Sequence, residues 1–411
     1  MSSLPRLSSA FRLHSPKIST RQLSTSFPRL ANRAIVYKEN GGPASVLSVV
    51  TNPSLPDPAP QTVNVRFLLS PINPADINVV EGVYPAKPTR TSEGVFVGGN
   101  EGVAEVTSVG DGVSGVKVGE WVVLGKQQSG TWRSAANVGA EDVIRVDKSV
   151  GEVVAATITV NPATAYNMLS DFADLKPGDW VLQNGANSAV GQAVIQIAKS
   201  RGLNTLNFVR NREGVDSLKG QLTSLGATHV ATYDDLADKA FRDTVKSWTG
   251  GKDIRLALNC VSGPTTTNMA RYLGHDAFLV SYGAMSKQPL SLPTSLFIFK
   301  NLQSVGFWQS RWYKEKTKEE RETLMRTLVG LFNSGKLKEP EHEILTLRAD
   351  ESDEAATARL RGVLSKMAEG QYGKKVLLQL EGESPLDQNI PAPSQTTGIN
   401  LDVTSFKTKS I

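Results

Sequence analysis

Cysteine is all but missing from this 411-residue chain: there is one, Cys260. A single cysteine excludes an internal disulfide and suits a reducing compartment. Histidine is scarce too. His14, His229, His275 and His342 are scattered without metal-ligand spacing. A four-cysteine structural zinc is therefore impossible within one chain, and a catalytic zinc lacks its usual donors. No stretch approaches the ~20 consecutive apolar residues of a membrane-spanning helix. Acidic residues are absent from the first 33 positions, which hold Arg6, Arg12, Lys17, Arg21, Arg29 and Arg33; the first acid is Glu39. Setting those six charges aside takes the net charge from +5 to near −1. The basicity belongs to the leader, and no footprint for nucleic acid remains.

The leader is rich in Ser, with Leu, Phe and Ile between its arginines and no continuous apolar stretch. That is the composition of a mitochondrial transit peptide. Residues 1–32 are expected to direct import into the matrix, with cleavage between Leu23 and Asn32. The remainder is long enough for two domains, since single cores rarely grow beyond ~250–300 residues.

From Ala34 to about Ala155 the chain reads as short strands broken by Gly and Pro, among them Ala34–Lys38, Val63–Phe67, Gly102–Val109 and Glu120–Leu124. This predicts a β-rich domain, a partly open barrel. Beyond Pro162 strands and amphipathic helices alternate: strand Asp179–Gln183, helix Ser188–Ser200, strand Thr205–Val209, helix Glu213–Leu225, strand His229–Thr232, helix Ala237–Trp248, strand Ile254–Cys260, a helix from about Pro264 and strand Ala277–Tyr282. Near-continuous apolar strands between helices imply a parallel sheet covered on both faces, a doubly wound nucleotide-binding architecture of Rossmann type. After Trp308 come helices at Lys316–Phe332 and Asp353–Met367 and a strand Lys374–Leu380, which are expected to return to the first domain. The tail 383–411, with Pro385, Pro391 and Pro393, reads as disordered. The expected division is leader 1–32, a catalytic domain of 33–157 and 311–382, a cofactor domain of 158–310, and the tail.

The strongest local signal is the strand–turn–helix from Lys176 to Gly191. A turn of small residues after a buried strand lets backbone amides approach a pyrophosphate, and the helix points its positive end at that charge. Glycine is sparse here, with Asn187, Ser188 and Ala189 where a dinucleotide fingerprint often has it, so the bare pattern is only moderately specific. The next strand ends in Arg210-Asn211-Arg212, where an NAD site places a carboxylate for the ribose hydroxyl. Two guanidinium groups and no acid favour the 2′-phosphate of NADPH.

The segments Ile72-Asn73-Pro74-Ala75-Asp76-Ile77-Asn78 through Gly82-Val83-Tyr84-Pro85, Gly98-Gly99-Asn100-Glu101-Gly102, Val160-Asn161-Pro162-Ala163-Thr164-Ala165-Tyr166 and Gly306-Phe307-Trp308 closely resemble the mitochondrial trans-2-enoyl thioester reductases. These are zinc-free members of the medium-chain dehydrogenase/reductase superfamily. The resemblance runs from about Ala34 to Leu380, and zinc-dependent relatives carry His where Asn100 sits. It implies a GroES-like catalytic domain beside the Rossmann-type one, a homodimer, and NADPH-dependent reduction of enoyl thioesters on acyl carrier protein or coenzyme A. Hydride goes to the β-carbon and a proton, from Tyr84, to the α-carbon. It further implies that Asn161 orients the cofactor and that Asn187, Ser188, Ala189 and Val190 line the pyrophosphate turn. Arg210, Asn211 and Arg212 hold the adenosine phosphate. Tyr282, Gly283, Ala284 and Met285 meet the nicotinamide end, with Phe307, Trp308 and Gln309 closing over it. Lys374, adjoined by Lys375, aligns with a lysine near the cofactor. Ala189 departs from a common family glycine. Two other readings stand beside this one: an NADPH:quinone oxidoreductase of the same superfamily, which needs no donor at Tyr84, and a non-catalytic cofactor-binding regulator, which needs neither Tyr84 nor an intact phosphate turn.

Overall fold

Strands Trp180–Asn184 and Ile254–Asn259 are almost wholly buried apolar or amide residues, which only a sheet covered on both faces accommodates. They sit at the centre of a six-stranded sheet in the computed structural model, which describes residues 32–370 and 373–382. Its spatial order is His229–Thr232, Asn204–Val209, Trp180–Asn184, Ile254–Asn259, Leu273–Ser281, Gln303–Gly306, all parallel. The order reverses at Trp180–Asn184, and the crevice beyond the carboxyl ends of the strands is where such sheets take ligands.

The other half is built on a seven-stranded sheet around the long strand Thr62–Pro71, with a separate three-stranded antiparallel sheet of Ser48–Asn52, Asn32–Tyr37 and Phe96–Val97. The chain does return to it. Strand Lys375–Leu380 pairs antiparallel with Thr62–Pro71, Leu377 facing Pro71 and Leu378 facing Ser70. A parallel partner, His342–Leu347, lies on its other side.

Three expectations need correction. Asn32 belongs to the folded body, not the leader, and so does Arg33, whose charge was counted with the leader's. Arg33 is buried, with Nη2 3.1 Å from Asp353 and further bonds to the carbonyls of Arg348 and Glu351. The leader proper thus carries five of the six positive charges. The helix expected at 237–248 is two helices, Tyr233–Ala237 and Phe241–Thr249. A capping box of Thr232 and Asp235 starts the first early, and Asp238, in extended backbone, caps Ala240 with its own carboxylate. The first half is also less purely β than expected, with helices at Pro43–Val46, Pro74–Val80 and Gly151–Thr157. The expected transit peptide and tail lie outside the described residues, apart from Asn32.

Candidate functional site

The cofactor turn follows strand Trp180–Asn184. Gly185 adopts φ 60°, where a Cβ would lie 2.4 Å from Cys260 Sγ. Its amide donates to the Tyr233 hydroxyl at 2.9 Å. Ser188 caps helix Ala189–Ser200, its Oγ accepting from the Gly191 amide at 3.1 Å. Gly191 stands so near the turn that a Cβ would fall 2.6 Å from the Ala186 carbonyl oxygen. Asn187, Ser188, Ala189 and Val190 are half-buried along this edge, and the first amides of the helix are unsatisfied within it, an arrangement suited to a pyrophosphate.

Beneath the turn the strand ends are laced together by buried amides. Asn184 donates to Asn259 Oδ1 at 2.9 Å and to Thr266 at 3.1 Å, and Asn259 donates to Ser281 at 2.9 Å. This fixes the strand ends on which Cys260 and Tyr282 sit. The Tyr282 hydroxyl is buried beside Cys260 and Ser188 without a well-formed hydrogen bond to either, and burial raises its pKa well above that of an ordinary phenol. An unpaired hydroxyl under the helix end is what a bound phosphate or nicotinamide group satisfies. At Gly283 a Cβ would lie 3.2 Å from the Cys260 carbonyl oxygen, while Ala284 and Met285 are exposed.

Arg210, Asn211 and Arg212 are all exposed at the end of the neighbouring strand. Asn211 donates to Asp234 at 2.7 Å. That acid was not foreseen, because it comes from the following strand–helix unit. Neither arginine is ion-paired to a described residue, so both guanidinium groups are available to an anion.

Tyr84 comes from the other half of the molecule. Asn73 caps helix Pro74–Val80 reciprocally with Asp76. Gly82, at φ 80°, then turns the chain so that the amides of Val83 and Tyr84 both donate to the Asn78 carbonyl. The phenol points across to the end of strand Gln303–Gly306, where Trp308 Nε1 donates to its oxygen at 2.8 Å, the rings edge-on with centroids 6.1 Å apart. Because the indole is the donor, the tyrosyl proton is not engaged by this bond. Phe307 faces away, edge-on to Phe172 at 6.0 Å in the core of the parallel-sheet half. Gln309 is buried and accepts from Asn167 at 3.1 Å. Asn161 lies half-buried at the first turn of helix Asn161–Met168.

Below Tyr84 is a buried charge cluster that sequence reasoning missed. Glu101 accepts from Asn73 Nδ2 at 2.9 Å, from Thr159 Oγ1 at 3.0 Å and from the Val160 amide at 2.8 Å. Lys375 reaches the Asn73 side-chain oxygen. Burial raises the Asp76 carboxyl to about 7, raises Glu101 as well, and lowers Lys375 against the pull of both acids. Lys374, the residue expected near the cofactor, is exposed; its neighbour Lys375 is the one turned inward. The cluster ties the Tyr84 helix, the Asn100–Glu101 segment and the start of the Asn161 helix into one unit.

The residues do not suit zinc. Asn100 accepts from the Gln128 amide at 2.6 Å and donates to Gln127 at 2.8 Å. His229 is stacked between Trp180 and Trp248, His275 faces Asp253, and His342 contacts the Pro340 carbonyl. Among the described residues no three His, Cys, Asp or Glu side chains gather as a metal site.

Family comparison gives the alcohol dehydrogenase GroES-like domain over residues 59–167 and the zinc-binding dehydrogenase domain over 189–329. A mitochondrial enoyl-[acyl-carrier-protein] reductase of Yarrowia lipolytica is 42% identical over 352 residues, 84% of this chain and 92% of that protein. The Etr1p/Etr2p heterodimer of the Candida tropicalis mitochondrial 2-enoyl thioester reductase superposes with a TM-score of 0.78 at 35% identity, covering 85% of this chain and 99% of that one. Etr1p with NADP and crotonyl-CoA gives the same TM-score, identity and coverage.

Proposed function

The chain belongs to the mitochondrial enoyl-[acyl-carrier-protein] reductases of the medium-chain dehydrogenase/reductase fold, and from that membership and the site geometry we propose that it reduces trans-2-enoyl thioesters with NADPH in the mitochondrial matrix. When bound, NADPH supplies the hydride that goes to the β-carbon. The chain supplies the rest. Ser188 and the first amides of its helix receive the pyrophosphate, and Arg210 and Arg212 favour the 2′-phosphate. Tyr282 and Gly283 wall the nicotinamide end. Tyr84 delivers its proton to the α-carbon, and the Trp308 indole then donates to the oxygen left behind. No step passes through zinc, because the donor set at Asn100 does not fit it.

The observation that carries this reading is the Trp308-to-Tyr84 hydrogen bond, which leaves a phenolic proton at the cleft beside the end of the parallel sheet. The decisive test is Tyr84→Phe assayed with a crotonyl thioester. Positioned acid catalysis contributes ~10²–10⁴-fold, so kcat is expected to fall by that order while NADPH binding persists. Turnover near that of the wild type removes Tyr84 from the chemistry.

We further propose a homodimer through the edge of the parallel sheet. Strand Gln303–Gly306 pairs with Leu273–Ser281 on one side only. The short helix before it, Thr294–Lys300, exposes Phe297, Ile298 and Phe299 at 40%, 67% and 74%. An unpaired strand beside an apolar ridge is a surface that a second copy covers.

A further inference from the structure

A cavity of about 280 Å³ opens between the segment that follows Tyr84 and the loop that follows Leu124, with Arg90, Lys126, Gln128, Arg133 and Asp142 in its lining. Its charge is one-sided: three cations face one carboxylate, and Lys126 already stands 3.6 Å from that carboxylate. Arg133 is the unusual member. Its Nη2 donates to the Ser129 carbonyl at 2.9 Å, yet its Nε is shut off from solvent with no partner at all. No described carboxylate is within ion-pairing distance of it. Burial depresses its pKa to about 10, and no anion offsets that effect. A sequestered guanidinium without a counter-charge is costly, and its planar fork matches a phosphate. Across the cavity Arg90 is held over the Phe96 ring at 4.3 Å and donates to the Lys38 carbonyl at 2.9 Å.

Position narrows the choice of anion. Pro88, in the lining, is four residues beyond Tyr84, an extended span of at most about 14 Å. Gln128, on the opposite wall, donates its amide to Asn100, and Gln127 beside it accepts from Ser310 at 2.6 Å, two residues past Trp308. The cavity therefore flanks the mouth at which Tyr84 stands. Resting on the reading of Tyr84 as proton donor to an enoyl thioester, we propose that the cavity under Arg133 binds the phosphate of the phosphopantetheine arm that carries the enoyl group. An extended pantetheine spans more than the distance from Pro88 to Tyr84, so the phosphate anchors one end of the arm while the thioester reaches the cleft. That phosphate is common to coenzyme A and to a carrier protein.

The test compares wild type, Arg133→Met and Arg133→Lys on crotonyl-CoA, a crotonyl carrier protein and crotonyl-pantetheine, which has no phosphate. In Arg133→Met, kcat/KM for both phosphate-bearing substrates is expected to drop about 10- to 100-fold relative to crotonyl-pantetheine, mainly through KM. Arg133→Lys should recover part of that difference. The wild type alone should already prefer crotonyl-CoA to crotonyl-pantetheine by a similar factor, which needs no variant to fold. A drop on crotonyl-CoA alone assigns the contact to the nucleotide's own phosphates and overturns the proposal. So does an equal drop on all three substrates, or none. A wild type inert toward all three removes the reductase reading and the site with it; a wild type active on all three and matched by Arg133→Met removes the site alone.

Discussion

Lys375→Met puts the buried cluster under direct strain. Asp76 and Glu101 are 3% and 2% exposed, and Lys375 is the cation whose attraction opposes their burial. Removing it leaves two sequestered carboxyls with Asn73, Thr159 and the Val160 amide as their remaining partners. Breaking a buried pair in this way costs ~3–5 kcal/mol, and at ~2–4 °C per kcal/mol for domains of a few hundred residues the melting temperature should fall by roughly 10 °C. The sign of the pH dependence follows from proton binding. Asp76 rises from 3.8 to about 7 on folding, so the folded state holds the extra proton across that interval and stability declines as pH climbs through it. Without the ammonium both carboxyls move higher still and the interval extends upward. The deficit of Lys375→Met should therefore grow from pH 5 to pH 8. Thermal denaturation at several pH values reads this, with Lys374→Met as the control: an exposed change one residue earlier should stay within about 0.5 kcal/mol. Equal losses at the two lysines, or a Lys375→Met deficit that ignores pH, refute the account.

Arg210→Ala with Arg212→Ala should raise KM for NADPH at least tenfold and spare NADH, read by steady-state kinetics; equal effects on both cofactors contradict a 2′-phosphate contact. Gly191→Ala must push its new methyl against the Ala186 backbone, so the turn should shift, NADPH should bind more weakly by titration and the melting temperature should fall; wild-type affinity would mean the turn gives way without consequence. Ile298→Glu places a charge on the apolar ridge and should shift the mass measured by light scattering from dimer to monomer. An unchanged mass would locate the contact elsewhere.

The parts of the site legible in the sequence were those written in contiguous residues. A fully buried strand, a small-residue turn and a helix opening at Ser188 carry their own signal, and so do two arginines at the end of the next strand. What escaped was long-range. The choice between Lys374 and Lys375 is a choice of strand register, since adjacent side chains point to opposite faces. Register here is set by pairing with Pro71 and Ser70, some 300 positions away. Asp234 reaches Asn211 from another strand–helix unit for the same reason. Strand Gln303–Gly306 was overlooked because an edge strand with three of its four residues exposed has no apolar run to announce it. The break at Asp238 depends on one aspartate serving the backbone beyond it.

The bond from the indole of Trp308 to the oxygen of Tyr84 runs from one half of the molecule to the other. Any hinge motion wide enough to admit bulk solvent between the halves must stretch or break it, and in the role proposed for Tyr84 this turns the donor away from the carbon it protonates. On that proposal, admission of water and readiness to protonate are opposite settings of a single latch.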